Sequence, residues 1–380
     1  MDARILTTEG LQALIDTLHS RNYRVLGPVV RDGAIGFGPV RAVAELPSGW
    51  GDEQDAGHYR LRRRDDALLF GYAASVQSAK PLFFPAQELL WRMRADADGV
   101  RPAPATDAGE TGPVAVLGVR SCDLAAIGIQ DVVLSGRQYG DAAYALRRAD
   151  TFVVAVTCSH PGGTCFCASM GTGPRPGTGP GPAAAYDLAM TELLDDGGHR
   201  FVVEVASERG GDVLADVART TGVPAADPAD LAAAEGVAER AAERMGRHLD
   251  TDGLKELLYA SAESPVWDDV ATRCLACTNC TQVCPTCFCT DVRDVTDLTG
   301  ALVERERVWD SCFNAEYSYI HGGSVRASTR ARYRQWLTHK LGSWQDQFEM
   351  SGCVGCGRCI TWCPAAIDLT AEVAALREEG

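Results

Sequence analysis

The sequence predicts an α/β N-terminal domain over residues 1–247, joined to a mostly helical C-terminal domain over 248–380 that is organised around cysteine. Three observations predict it. Runs of apolar, β-branched residues separated by a helical pattern mark the first part as strands with a crossover helix. One cysteine spacing occurs twice in the second part. Between them, an alanine-rich stretch opening on Asp227-Pro228 reads as a connecting helix to about Met245, which places the boundary near residue 248. At 380 residues, 46% apolar and 23% charged, the chain has material for two cores.

Taken in order, Leu11, Leu14, Ile15 and Leu18 recur at helical spacing over residues 8–18. Two short apolar segments flank Arg31-Asp32-Gly33, a hairpin signal. Segments 113–119, 151–157 and 201–205 read as strands, with Asp123 to Leu134 a helix between the first two. Residues 171–185, GTGPRPGTGPGPAAA, are expected to form a mobile loop, being too rich in glycine and proline to pack. In the C-terminal part, Ser324 is expected to cap a helix whose buried face is Val325, Tyr333, Trp336 and Leu337. The long interval 285–352 between the two cysteine motifs reads as a large helical insertion.

Charge and targeting signals narrow the function. The formal charge is −15 and the pI about 4.9. Phosphate backbones and anionic bilayers repel such a surface, so neither nucleic acid nor membrane is an expected partner. The start, MDARILTTEG, lacks a signal-peptide pattern, and no run approaches the roughly 18 apolar residues of a membrane span. A cytoplasmic protein is expected. In that reducing compartment an odd count of fifteen cysteines points to metal ligation and away from a disulfide framework.

The spacing supports this. Residues 274–285 read CLACTNCTQVCP and residues 353–364 read CVGCGRCITWCP, both C-x2-C-x2-C-x3-C-P. Three thiolates two residues apart can wrap three iron corners of a cubane, and in the bacterial two-cluster arrangement the fourth cysteine crosses to the other cluster. One 4Fe-4S cluster is therefore expected on Cys274, Cys277, Cys280 and Cys363, and a second on Cys353, Cys356, Cys359 and Cys284. The C-terminal fold is then ferredoxin-like, of the α-helical two-cluster type. Gly355 and Gly357 would let the loop approach closely and turn amides toward sulfur. Zinc is the alternative, since paired C-x2-C motifs build tetrahedral sites, but zinc gives no reason for a third cysteine or for a second copy ending in proline. Two oxidised clusters would take the formal charge to about −19. The stretch Arg326 to Lys340, with five basic residues and no acidic one, is a candidate for compensating them or for docking an acidic partner, against the plainer reading of a solvated helix face.

Seven cysteines remain. Cys122 and Cys158 follow strand-like runs, where the chemistry of open α/β sheets is usually found. Cys165 and Cys167 lie in CSHPGGTCFC, which PTCFC partly echoes with Cys287 and Cys289. Cys158, Cys165, Cys167 and Cys122 are the first choice of ligands for a third metal site, with Cys312 as substitute; the alternative is that free cysteines simply fill core space. Asp123 and Asp310 stand beside cysteines, where capping or loop hydrogen bonding competes with proton carriage. No G-x-G-x-x-G, Walker loop or H-E-x-x-H occurs, so any nicotinamide or flavin is expected on another chain.

The set GVRSCDLAAIGIQD (118–131), CSHPGGTCFCASMG (158–171), RCLACTNCTQVCPTCFCTDV (273–292), WDSCFNAEYSYIHGGSVR (309–326), THKL (338–341) and CVGCGRCITWCP resembles the beta subunit of soluble nickel-iron hydrogenases, or sulfhydrogenases. The iron-sulfur A subunit of anaerobic sulfite reductase belongs to the same family. Ser121 stands where the family pattern has proline, and the first hundred residues match loosely. The resemblance implies a non-catalytic electron-transfer subunit in a cytoplasmic hetero-oligomer. Its clusters would relay single electrons between a hydrogenase-type catalytic subunit and a flavin/NAD(P) subunit. The same resemblance allows a relay ending at a sirohaem sulfite reductase. A different class of function, reduction of a sulfur substrate at a cluster of this chain, would use the Cys158 to Cys167 loop.

Overall fold

The computed structural model describes residues 3–97, 99–103, 112–136, 139–177 and 186–379. Its strands, in chain order, are β1 (Ala3–Thr7), β2 (Arg24–Arg31), β3 (Ala34–Pro39), β4 (Trp50–Asp55), β5 (His58–Arg63), β6 (Gln87–Asp96), β7 (Gly99–Pro102), β8 (Val114–Arg120), β9 (Thr151–Val156), β10 (Leu188–Asp195), β11 (Gly198–Val205), β12 (Thr290–Thr296) and β13 (Leu302–Trp309). Seven of them form one sheet in the order β1-β11-β10-β9-β8-β2-β3. The pairs β10/β9, β9/β8 and β8/β2 are parallel and the outer pairs antiparallel. The buried runs of β8 and β9 explain the parallel centre, because strands covered on both faces read as continuous apolar segments. The expected first helix spans Thr8–Ser20, with Thr7 as N-cap. The expected hairpin is β2-β3, with Asp32 and Gly33 both at positive φ as a two-residue turn of this hand requires. The helix after β8 spans Ser121–Leu134, and Asp227 caps the helix Pro228–Glu243.

The insertion is where expectation and structure part. Residues 285–352 are not wholly helical: β12 and β13 form a hairpin whose second strand, β13, pairs with β6, giving a second sheet in the order β12-β13-β6-β7. TDVRDVT and LVERERVW place β-branched residues among charges that pair across the sheet, as Arg305 does with Asp294 at 2.7 Å. This sheet draws strands from both sides of residue 248, so the two parts are laced together. The helix of the insertion begins later than expected, at Thr329, and its cap is Ser328, whose side chain accepts from the Ala331 N–H. Tyr333, Trp336 and Leu337 are buried as expected, whereas Val325 is exposed because it precedes the helix. Residues 171–177 are packed and not loose: Ser121 Oγ donates to the Thr172 and Arg175 carbonyls at 2.9 and 2.7 Å. Residues 178–185 of that expected loop lie outside the described residues.

The C-terminal part has its own core of Trp267, Phe313, Tyr333, Trp336 and Ile360. It meets the α/β part at the second cysteine motif. A Cβ on Gly355 would stand 2.7 Å from the Cys167 backbone, and one on Gly357 2.5 Å from the Thr164 carbonyl. Glycine is thus required there by the approach of another backbone as well as by positive φ.

Candidate iron-sulfur centres

The two motifs fold alike. In each, the second and fourth residues after the first cysteine are left-handed: Ala276 and Thr278 in one, Gly355 and Gly357 in the other. Alternation of this kind turns successive amides to one side, the arrangement that cradles anions. The Ala276 N–H accordingly donates to Cys274 Sγ and the Gly355 N–H to Cys353 Sγ, both at 3.4 Å, and the Ile367 N–H reaches Cys363 Sγ at 3.4 Å. Short helices, Asn279–Gln282 and Arg358–Thr361, then carry the third cysteine of each motif.

The fourth cysteines change sides. Cys363 stands beside Cys274 and Cys280, with Cys277 next to them. These four cysteines and Cys359, with Phe313, Tyr333 and Trp336, line one cavity. Cys284 stands instead beside Cys353, Cys356 and Cys359. The groups adjoin, since Cys280 lies near Cys284 and Cys359 near Cys280. Burial pushes the Cys280 and Cys359 thiols well above their ordinary value and Cys353 up to about 12. Thiols so placed are neutral unless a positive core draws off their protons, which is what metal coordination does. The donor set therefore fits 4Fe-4S clusters: sulfur only, amides aimed at sulfur, and a cavity walled by the first group.

Lys340 is buried against the second group. Its ammonium donates to Cys284 Sγ at 3.3 Å, Thr286 Oγ1 at 3.0 Å and the Gly352 carbonyl at 3.3 Å, and lies 3.7 Å from Cys287 Sγ. Burial opposes its charge, but Cys284, Cys287 and Cys353 outweigh it and hold the lysine protonated. Three arginines of the basic stretch are engaged within the chain. Arg330 pairs with Glu263 and Asp268, Arg334 pairs with Glu263, and Arg332 donates to the Phe313 and Ala327 carbonyls. Of the readings the sequence offered, Lys340 takes the one of compensating sulfur, while Arg330, Arg332 and Arg334 serve contacts within the chain.

Cys122, Cys158, Cys165 and Cys167 come together at the C-terminal ends of β8 and β9. Cys167 neighbours Cys165 and Cys158, and Cys122 neighbours Cys167. Cys312 does not join them. Its thiol hydrogen-bonds with that of Cys289, which also accepts from Tyr317, and its other sulfur neighbour is Cys280. The fold thus brings the four first-choice cysteines together without Cys312. The Cys312 hydrogen bond is the largest influence holding Cys289 down to about 6. Asp123 is no proton carrier in this setting: it forms a two-pronged ion pair with Arg358 at 2.6 and 2.9 Å, both residues almost wholly buried. Asp310 shapes its loop, accepting from the Ser311 N–H at 2.7 Å.

Comparison with known proteins agrees with this geometry. Residues 273–367 match the family described as 4Fe-4S dicluster domain. The chain is also 30% identical over 321 residues to sulfhydrogenase 2 subunit beta of Pyrococcus furiosus, covering 82% of this chain and 86% of that protein. The chain belongs to the sulfhydrogenase beta-subunit, iron-sulfur family. The matched dicluster stretch begins one residue before Cys274 and ends four after Cys363, so all eight motif cysteines fall inside it.

In this member of the beta-subunit family, four charged residues beside the sulfur groups take their places only through the fold. Lys340 lies in the basic run that the sequence offers for compensating the clusters, for docking or as a solvated face, with nothing to mark this residue among the five. Arg358 and Asp123, distant in sequence, become partners only through the fold. Lys80 donates to the Cys287 carbonyl at 3.2 Å and lies over the Trp309 ring, where burial lowers it to about 8. Among the described residues no helix is long and apolar enough to cross a membrane.

Proposed function

We propose that this chain is the electron-transfer subunit of a hetero-oligomeric oxidoreductase. Cys274, Cys277, Cys280 and Cys363 would hold one 4Fe-4S cluster, and Cys353, Cys356, Cys359 and Cys284 the other. The carrying observation is the exchange of fourth cysteines, which sets the two sulfur groups side by side across Cys280, Cys284 and Cys359. When bound, such clusters supply one-electron redox capacity. The chain's own residues do the rest. Amides of Ala276, Gly355 and Ile367 hold the cysteine sulfurs, Lys340 offsets their charge, and Phe313, Tyr333 and Trp336 wall one side of the first group. No nucleophile or general base is asked of this chain.

Similarity to a sulfhydrogenase beta subunit supports partners of hydrogenase type over a sirohaem sulfite reductase. A flavin/NAD(P) subunit at the other end of the relay completes the proposal. The test is capture of the tagged full-length chain from its source under anaerobic conditions, with metal and cofactor analysis of what comes with it. Nickel in a copurifying subunit is the expected result. Sirohaem without nickel would replace this assignment with the sulfite reductase one. Reduction of a sulfur substrate by the isolated, cluster-loaded chain would instead show an enzyme in its own right.

A further inference from the structure

We infer that Cys122, Cys158, Cys165 and Cys167 hold a third 4Fe-4S cluster, with Arg120 as its buried counter-charge. The inference extends the two-cluster reading and rests on a separate set of residues. Cys122 and Cys158 follow the central parallel strands β8 and β9, and Cys165 and Cys167 lie on the loop that leaves β9. Cys122 and Cys167 pack in one cluster with Cys356, and Cys165 Sγ lies 3.8 Å from the Cys356 carbonyl. The group therefore backs directly onto the second motif. Cys165 also shows the feature shared by Cys274, Cys353 and Cys363: a backbone amide, that of Gly162, donates to its sulfur at 3.3 Å. Glycine is needed at 173 as well, because a Cβ there would stand 3.0 Å from Cys167 Sγ.

Arg120 decides between a cluster and four space-filling thiols. It is 3% exposed. Its Nη2 donates to the Phe70 and Tyr72 carbonyls at 2.8 and 2.7 Å and the guanidinium lies 4.3 Å from the Tyr72 ring centre, while Nε and Nη1 are buried without a hydrogen-bond partner. No carboxylate forms an ion pair with it among the described residues. Asp52, the nearby acid, already accepts from the Ala73 N–H at 2.8 Å and from Gln54. The sulfurs of Cys158 and Cys122 lie close to the guanidinium, as do Tyr72 and Asp52. A buried cation with two idle donors, facing sulfur, calls for an anion. Four neutral thiols supply none. On binding an oxidised 4Fe-4S core of charge +2, the four thiols release four protons and the assembly carries −2, which answers Arg120. Zinc on four thiolates would carry the same charge. Metal analysis separates the two.

The test is iron and zinc analysis with low-temperature EPR of the reconstituted, dithionite-reduced full chain. About twelve irons per chain and no zinc are expected, falling to about eight in Cys165→Ala and in Cys167→Ala with the signals of the other two clusters kept. Cys312→Ala is the control and should keep about twelve. About eight irons in the wild type, one zinc beside eight irons, or an unchanged iron count in both Cys165→Ala and Cys167→Ala would overturn the inference. Cys277→Ala separates it from the reading it extends. Should the wild type hold about eight irons and Cys277→Ala about four, the two-cluster reading stands and the third cluster fails. Iron unchanged in Cys277→Ala would count against the two-cluster reading itself.

Discussion

The two cysteine motifs share one spacing and one backbone path but sit in opposite surroundings. The first faces outward: Cys277 is exposed, Leu275 is 68% exposed, and the left-handed positions are held by Ala276 and Thr278. The second is interior: Cys353 and Cys356 are buried, its left-handed positions are glycines, and the backbone of residues 164–167 lies against it. The same loop geometry therefore tolerates a side chain where it borders solvent and excludes one where it borders another backbone. The difference also suggests a division of labour, with the first group placed to meet a partner and the second, flanked by Lys340 and the Asp123–Arg358 pair, tuned from within.

The largest expected effect falls on the inner motif. Asp123→Ala leaves the Arg358 cation buried and unpaired, and should destabilise the protein by about 3–5 kcal/mol in denaturant unfolding. Replacing both partners with apolar residues should recover most of that loss. Next comes an exchange between the motifs. Gly357→Thr should cost about 2–4 kcal/mol, from the left-handed backbone and the contact with the Thr164 carbonyl. The reciprocal Thr278→Gly should change stability by less than about 1 kcal/mol. Equal effects at the two positions would end the comparison.

Smaller effects separate tuning from support. Lys340→Met removes a cation beside Cys284, so the oxidised form of the second cluster gains relative to the reduced one. Its midpoint potential should fall in a redox titration while that of the first moves less. Ser328→Ala removes the cap of the helix that presents Tyr333 and Trp336 to the first group, and should cost about 1 kcal/mol in thermal unfolding.

Much of this was legible in the sequence because it is local. The spacing of Cys274 to Cys284 and Cys353 to Cys363, the Asp32-Gly33 turn, the Asp227 cap and the apolar runs of β8 and β9 each express a rule that acts over a few residues. What escaped depends on distant segments. The hairpin 290–309 reads poorly because its strands are partly solvated and charged, and its pairing with β6 joins segments some two hundred residues apart. The basic run 326–340 could be weighed as a counter-charge for the clusters, but nothing nearby in sequence singles out Lys340 as the residue that reaches the Cys284 sulfur. The roles of Gly355 and Gly357 were seen as local turns, but the approach of residues 164–167 is a fact of the tertiary fold.

The account turns on the crossing of the fourth cysteines, and reduced-state EPR of four alanine variants tests it most directly. Cys363→Ala should abolish the same cluster signal as Cys277→Ala and leave the other, while Cys284→Ala should share its loss with Cys353→Ala. If Cys363→Ala instead removes the signal that Cys353→Ala removes, each motif holds a cluster by itself and the crossed arrangement is wrong.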